Sequence, residues 1–312
     1  MPALKALRVA HPKANIEILG YPHIAAIADK RFYADAVRSI EYAALSRFFA
    51  RGAELPSELC DYFAGFDLIL SYLYDPDGIF EANLRRSGAE NFLRGPSKIV
   101  PGISASEQLA CPVEQLGIIV TGLAAKIFSS DEDREFADGF LENCELPILA
   151  IHPGSGSEKK NWPIENWIEL IRAVLNGAAT SSKGCFQTAH LSQGRLPSPP
   201  FLFGSILIVS GEADESVMRQ LRPLSEREQR VRFAHQLPLP QLAAILSHST
   251  FIGHDSGISH LAAAAGARSI ILFGPTDPEV WAPRNDNVKV LLGPNGDLTQ
   301  LDVAVITKAF GL

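Results

Sequence analysis

The sequence predicts an α/β protein built from two Rossmann-like halves. Three observations lead there. The hydrophobic period switches repeatedly between strand and helix spacing, the second half alternates apolar strand-like runs with helical segments, and the loops after those runs are rich in Gly, Ser and charge. With 312 residues, 46% of them hydrophobic, the chain is long enough for two ordinary cores.

The first element is a helix. In MPALKALRVAHP, Pro2 suits a first helical turn, Leu4 and Leu7 share one face, and His11-Pro12 ends the pattern. A parallel sheet uses helices as crossovers between strands, so a domain that opens on a crossover is expected to lack the strand before it. Strands are then expected at NIEILG (15–20), VRSIEY (37–42) and FDLILSYL (66–73), with helices over 76–87 and 104–116 and an acidic one from about Ser130. The domain boundary is placed at Leu146-Pro147, giving a first domain of 1–146, a second of 147–296 and a closing helix over 297–312.

In the second half, strands are expected at ILAIH (148–152), ILIVS (206–210), VRFA (231–234), TFIGH (250–254), SIILF (269–273) and VKVLL (288–292). Helices are expected around 163–175, 214–221, 240–246 and 258–265. This alternation gives a parallel sheet covered on both faces. Residues 176–204 are rich in Ser, Gly and Pro and are expected to form a mobile surface insertion without a chemical role, since such connections usually take ~2 to 6 residues.

Composition narrows the function. A formal net charge of -7 argues against nucleic acid as a partner. No apolar run approaches the ~18 residues of a membrane span, and the opening lacks a secretory layout, so a cytoplasmic protein is expected. Cys60, Cys111, Cys144 and Cys185 stand singly with no C-x-x-C pair, as reduced thiols do.

In an open parallel sheet, ligands gather at the carboxyl ends of strands. The loop after ILAIH reads HPGSGSEKKNWP (152–163): small residues let backbone N–H groups approach an anion, Lys159 and Lys160 add charge, and Pro163 enters a helix. It is neither a Walker A loop nor a G-x-G-x-x-G fingerprint. Taken singly, it is equally a glycine turn with solvated lysines. The loop after TFIGH belongs to GHDSGISHLAAAAGA (253–267), where Asp255 and Ser256 stand at a helix start and Ser256 and His260 share a face. Taken singly, this is a capped core helix.

The combination of the two loops in one half points to a diphosphate site. FGPTDPEVWAP (273–283) adds a turn on the same rim, and Glu212 or Asp214 follows ILIVS, where an acid receives ribose hydroxyls or complements a helix start. Asp131-Glu132-Asp133 has the D-x-D form of a metal motif but follows two serines at a helix start, where acids complement the dipole.

HPGSGSEKKNWPIENWIEL together with FIGHDSGISHLAAAAGARSIILFGPTDPEVWAP resembles glycosyltransferase family 9, the ADP-heptose:lipopolysaccharide heptosyltransferases and their relatives. The resemblance implies a GT-B fold, in which an amino-terminal acceptor domain and a carboxy-terminal nucleotide-sugar domain face a cleft, with the last helix crossing back toward the first domain. It implies that Ser155, Gly156 and Ser157 line the donor diphosphate and that Lys160 offsets charge on the leaving ADP. Asp255, Ser256, Gly257 and His260 would hold sugar and phosphates from the other side, with Glu212 near the nucleoside. The expected activity is inverting transfer of a heptose-like sugar from an ADP-sugar to a lipopolysaccharide core or related surface glycan. No metal and no cofactor is expected, because helix amino ends and a lysine stabilise a diphosphate leaving group. The expected partners are the ADP-sugar and a lipid-linked glycan acceptor, with peripheral association at the inner membrane. The alternative is a relative that binds nucleotide sugar without catalysis.

Chains of that family begin with a short strand and a Gly-Asp loop before the Pro of the first helix, and of this pattern the sequence shows PALKAL (2–7). The amino-terminal domain is therefore expected to be incomplete, with two strands left unpaired beside the missing one and the general base unassigned. Asp75 and Asp77, after the FDLILSYL strand, either substitute for that base or form an Asp-Pro turn.

Overall fold

A computed structural model describes residues 1–181 and 203–310. The chain divides into two compact units, Met1–Phe128 and Ser129–Leu312. Most of the insertion expected at 176–204 lies outside the described residues.

The first unit runs α1 (Pro2–Ala10), β1 (Glu17–Gly20), α2 (Pro22–Ala25), β2 (Ala36–Ser39), α3 (Ser57–Ala64), β3 (Ile69–Ser71), α4 (Ile79–Arg86), β4 (Phe92–Arg94) and α5 (Ala105–Glu114), with a 3-10 stretch at Ala43–Phe49. Its strands form two separate parallel pairs, β1 with β2 and β3 with β4. Each of these four strands is thus paired on one side only. Leu19 of β1 and Ile69 of β3 nonetheless pack on one cluster, made of Leu45, Phe48, Leu59, Phe63, Phe80 and Leu84. The 3-10 stretch, α3, β4 and the single-turn α2 are absent from the sequence expectation. Aromatic packing fixes the first two, with Phe48 and Phe63 rings 4.9 Å apart, and a strand of three residues is too short to show a period.

The second unit runs α6 (Asp131–Leu141), β5 (Ile148–His152), α7 (Ile164–Ser181), β6 (Ser205–Ser210), α8 (Glu215–Arg227), β7 (Val231–His235), α9 (Leu239–Leu246), β8 (Ser249–His254), α10 (Gly257–Ala265), β9 (Arg268–Phe273), α11 (Pro278–Trp281), β10 (Val288–Leu292) and α12 (Val303–Phe310). All six expected strands form, within a residue of the expected bounds. They make one parallel sheet in the order β10-β9-β8-β5-β6-β7. Every residue of β5 and of β6 is buried, which is why these strands read as continuous apolar runs.

Helix α6 falls in the second unit, ahead of the boundary expected at Leu146-Pro147, because it packs against α9. Its start is a capping box: Asp133 N–H donates to Ser130 Oγ at 3.2 Å, and Ser130 N–H donates to Asp133 Oδ2 at 2.8 Å. Helix α8 continues through Pro223 beyond the expected end at 221. The closing helix is shorter than expected, and Val303, Ile306, Ala309 and Phe310 of α12 are buried in the core of the second unit. Phe310 meets Phe203 edge to face with centroids 5.8 Å apart.

Ile306 is fully buried, so Ile306→Ala should lower the stability of the protein by about 2 to 5 kcal/mol. Urea denaturation followed by tryptophan fluorescence reads this in the second unit, because all three tryptophans (Trp162, Trp167 and Trp281) lie there.

Candidate functional site

The strand order places the site. From β5 the chain moves outward to β6 and β7 on one side, then returns to β8 beside β5 and moves out to β9 and β10 on the other. The sheet therefore reverses its winding between β5 and β8, and a crevice opens at their carboxyl ends. The loop of 152–163 leaves β5 there, and the turn into α10 leaves β8.

Each of these two apolar strands ends in a buried histidine. His254, 0% exposed, receives the backbone N–H of Trp162 on Nε2 at 2.8 Å and donates Nδ1–H to the Gly154 carbonyl at 3.2 Å. Burial pushes its pKa down to about 3, so it is neutral and its tautomer is fixed by its partners. One ring thus joins the two ends of the glycine-rich loop to the neighbouring strand. Trp162 and Trp167 pack beside it, and Trp162 Nε1 donates to the Leu301 carbonyl at 2.8 Å.

His152, 4% exposed, contacts Asp214 Oδ2 through Nε2 at 3.3 Å and Ser256 Oγ through Nδ1 at 3.3 Å. Asp214, 5% exposed, also accepts the Gly211 N–H at 2.7 Å. Its burial alone would raise the carboxyl pKa. The His152 and Gly211 hydrogen bonds outweigh that, and the group stays ionised below the usual carboxylate range. The acid considered for ribose is therefore committed to the interior, while Glu212, two residues earlier on the same turn, is exposed. Gly154 is required by this arrangement, because a Cβ there would lie 1.7 Å from Asp214 Oδ1.

Lys160 and Asp255, expected on opposite sides of a ligand, form an ion pair of 2.9 Å, and Asp255 also accepts from Thr276 Oγ1 at 2.8 Å. The Lys160 side chain keeps 29% of its surface exposed, so the pair lies at the rim of the crevice rather than in the interior. Ser155 Oγ lies 2.8 Å from the Ser157 carbonyl and 2.7 Å from Asn161 Oδ1, which folds the loop on itself. Gly156 and Gly257 are exposed, and a Cβ at either would meet no atom within 4 Å. Packing within the chain does not require glycine at either position. Ser256 caps α10, and His260 sits on the exposed face of that helix, hydrogen-bonded to the Trp281 backbone.

The structure thus gathers Ser155, Gly156, Ser157, Lys160, Asp255, Ser256, Gly257 and His260 on the loops after β5 and β8 and on α10, with Glu212 on the turn after β6. The sequence analysis missed His152, His254, Asn161 and the pairing of Asp214. Two apolar strands each ending in His were the available signal. The D-x-D residues serve the α6 start, where Asp131 also pairs with Arg134. Among the described residues, no three His, Cys, Asp or Glu side chains cluster as a metal site.

Residues 203–307 match the model of glycosyltransferase family 9 (heptosyltransferase). The chain is 27% identical over 187 residues to lipopolysaccharide heptosyltransferase 1 of Salmonella typhimurium, covering 58% of this chain and 49% of that protein. It is 26% identical over 159 residues to lipooligosaccharide heptosyltransferase 2 of Haemophilus influenzae, covering 50% of this chain and 40% of that protein. These alignments span about half the length, or less, of the curated relatives. In fold it is similar to a glycosyl transferase of family 9 from Veillonella parvula, with a TM-score of 0.70 at 17% identity over 99% of this chain and 90% of that one. It is likewise similar to the E. coli heptosyltransferase WaaC with ADP, with a TM-score of 0.66 at 17% identity over 99% and 94% of the two chains.

Gly154→Ala should displace the Asp214 carboxylate and lower stability by about 1 to 3 kcal/mol. In a double-mutant cycle with Asp214→Ala by urea denaturation, the two losses should be non-additive by more than about 0.5 kcal/mol, because the second change removes the clash. His254 gives a pH signature. Its folded pKa of about 3 lies below the ordinary histidine value of 6.5, so on acidification the unfolded chain takes up a proton that the folded chain refuses. Stability from this group is complete above pH 6.5 and drains as pH falls toward 3. Urea midpoints measured from pH 7 to 5 should decline in the parent, with a shallower slope in His254→Asn.

Proposed function

We propose that this chain, whose residues 203–307 match the family 9 glycosyltransferase model, is a metal-independent, inverting glycosyltransferase using an ADP-activated heptose-like sugar. The acceptor is a lipopolysaccharide core or related surface glycan. The observation that carries this reading is the pairing of two loops at the point where the sheet reverses. One brings Lys160 and the Ser155–Ser157 backbone, and the other brings the amino end of α10 with Asp255 and Ser256.

In the transfer, an acceptor hydroxyl oxygen attacks the anomeric carbon from the face opposite the diphosphate, the bond from that carbon to the diphosphate oxygen breaks, and the hydroxyl proton leaves to solvent water. Negative charge builds on the departing ADP. Lys160, held by Asp255 at the rim of the crevice, donates to those oxygens, and the loop and helix N–H groups add to it. Gly156 and Gly257, with open space where a side chain would stand, let phosphate approach the backbone. Glu212 lies toward the nucleoside. No helix among the described residues is long and apolar enough to cross a membrane. Attachment to the inner membrane from the cytoplasmic side goes through the lipid acceptor.

A second reading, nucleotide-sugar binding without catalysis, is favoured by one observation. Asp75, the substitute considered for the base, is occupied at the start of α4, accepting Phe80 N–H at 3.2 Å and Glu81 N–H at 3.1 Å, with Arg94 3.8 Å away. This is the Asp-Pro turn use of that residue.

ADP release measured with ADP-heptose and a heptose-deficient lipopolysaccharide acceptor separates the two. The enzyme reading expects turnover, reduced about 100- to 1,000-fold in Lys160→Ala while the fold, followed by circular dichroism, is retained. Binding of ADP-heptose with ADP release at background selects the binding reading.

A further inference from the structure

We propose that Asp214 and His152 form a proton relay that sets the direction of the Ser256 hydroxyl, so that diphosphate binding at the start of α10 takes up a proton. The inference rests on the donor-site reading above and concerns residues that reading leaves without a task.

The argument is one of counting hydrogens. Asp214 is buried and ionised and can only accept, so His152 Nε2 carries a proton and donates to it at 3.3 Å. In a neutral imidazole, Nδ1 is then an acceptor, and its partner at 3.3 Å is Ser256 Oγ. The Ser256 hydroxyl has one proton, and this geometry turns it inward to His152. The other acceptor within reach is Ser259 Oγ at 3.4 Å, whose own proton goes to the His254 carbonyl. The Ser256 oxygen also accepts the Ser259 N–H that caps the helix. In this state the hydroxyl presents lone pairs outward at a helix start that otherwise attracts anions.

Protonation of His152 reverses the inner bond. Nδ1–H now donates to Ser256 Oγ, and the hydroxyl proton is free to turn outward to a phosphate oxygen. One N–H bond forms, between Nδ1 of His152 and a proton taken from solvent, and no other covalent bond changes. Four titratable side chains face His152 from the elements packed around it. Asp214, from the turn after β6, carries the opposing charge, and His254, at the end of β8, is neutral. Lys160 and Asp255, on the flanking loop and turn, compensate each other at 2.9 Å. His152 and Asp214 are therefore positioning residues, acting on the ligand through Ser256.

Titration calorimetry with ADP at pH 8, where the ADP phosphates are already fully ionised, tests this in HEPES and Tris buffers of different ionisation enthalpy. The parent should take up a large fraction of one proton per ADP bound. Its affinity should fall with rising pH, approaching about tenfold per unit. Asp214→Asn, which keeps the shape but removes the charge, and Ser256→Ala should both still bind ADP, more weakly, and should both lose the proton uptake. A merely structural role for Asp214 would weaken binding without changing the proton count. ADP binding by the parent with no proton uptake, or uptake that persists in Asp214→Asn, overturns the relay and leaves the donor-site reading standing. Failure of the folded parent to bind ADP overturns both.

Discussion

The site depends on one uncharged buried ring. His254 accepts from Trp162 N–H and donates to the Gly154 carbonyl, so both ends of a glycine-rich loop are fastened to the end of the adjacent strand. The Trp162 bond would not survive a proton on Nε2, and burial keeps that proton off. A loop with so little side-chain packing of its own would otherwise sample many shapes at an entropic cost paid again on every binding event. With its ends fixed, only Ser155 to Lys160 need ordering, and the Ser155 hydroxyl, beside Ser157 and Asn161, completes that.

Around this clamp, each charge has its partners. Asp214, hydrogen-bonded by His152 and the Gly211 N–H, lies in the interior, and the ion pair of Lys160 with Asp255 lies at the rim. A buried carboxylate without such donors would be costly. The rim pair is different in kind, because Lys160 stays partly exposed and can take a second anion without leaving the first. Gly154 is where the two levels meet: the loop backbone passes so close to Asp214 that no side chain fits.

The first unit shows the same physics with fewer partners. Its strands come in two pairs, and no residue of β1 is buried, in contrast to β5 at the centre of the six-stranded sheet. Order there comes from helix and aromatic packing around Phe48, Phe63 and Phe80, and from side-chain bonds such as Tyr33 to the Lys126 carbonyl at 2.5 Å.

The sequence by itself determined the six strands of the second unit, the loops that carry chemistry and the residues on them. Continuous apolar runs and glycine-rich, charged connections are local properties, written in neighbouring residues. It also marked β1, β2 and β3 of the first unit, while β4, three residues long, shows no period. Tertiary structure alone decided the strand order, and with it that the loops after β5 and β8, some hundred residues apart, share one crevice. It decided that Asp214 turns inward to His152 while Glu212 stays out, that Lys160 meets Asp255, and that α6 joins the second unit. A hydrogen bond or ion pair between distant residues has no period and no spacing, so it becomes legible only when the packed sheet fixes which side chains face each other.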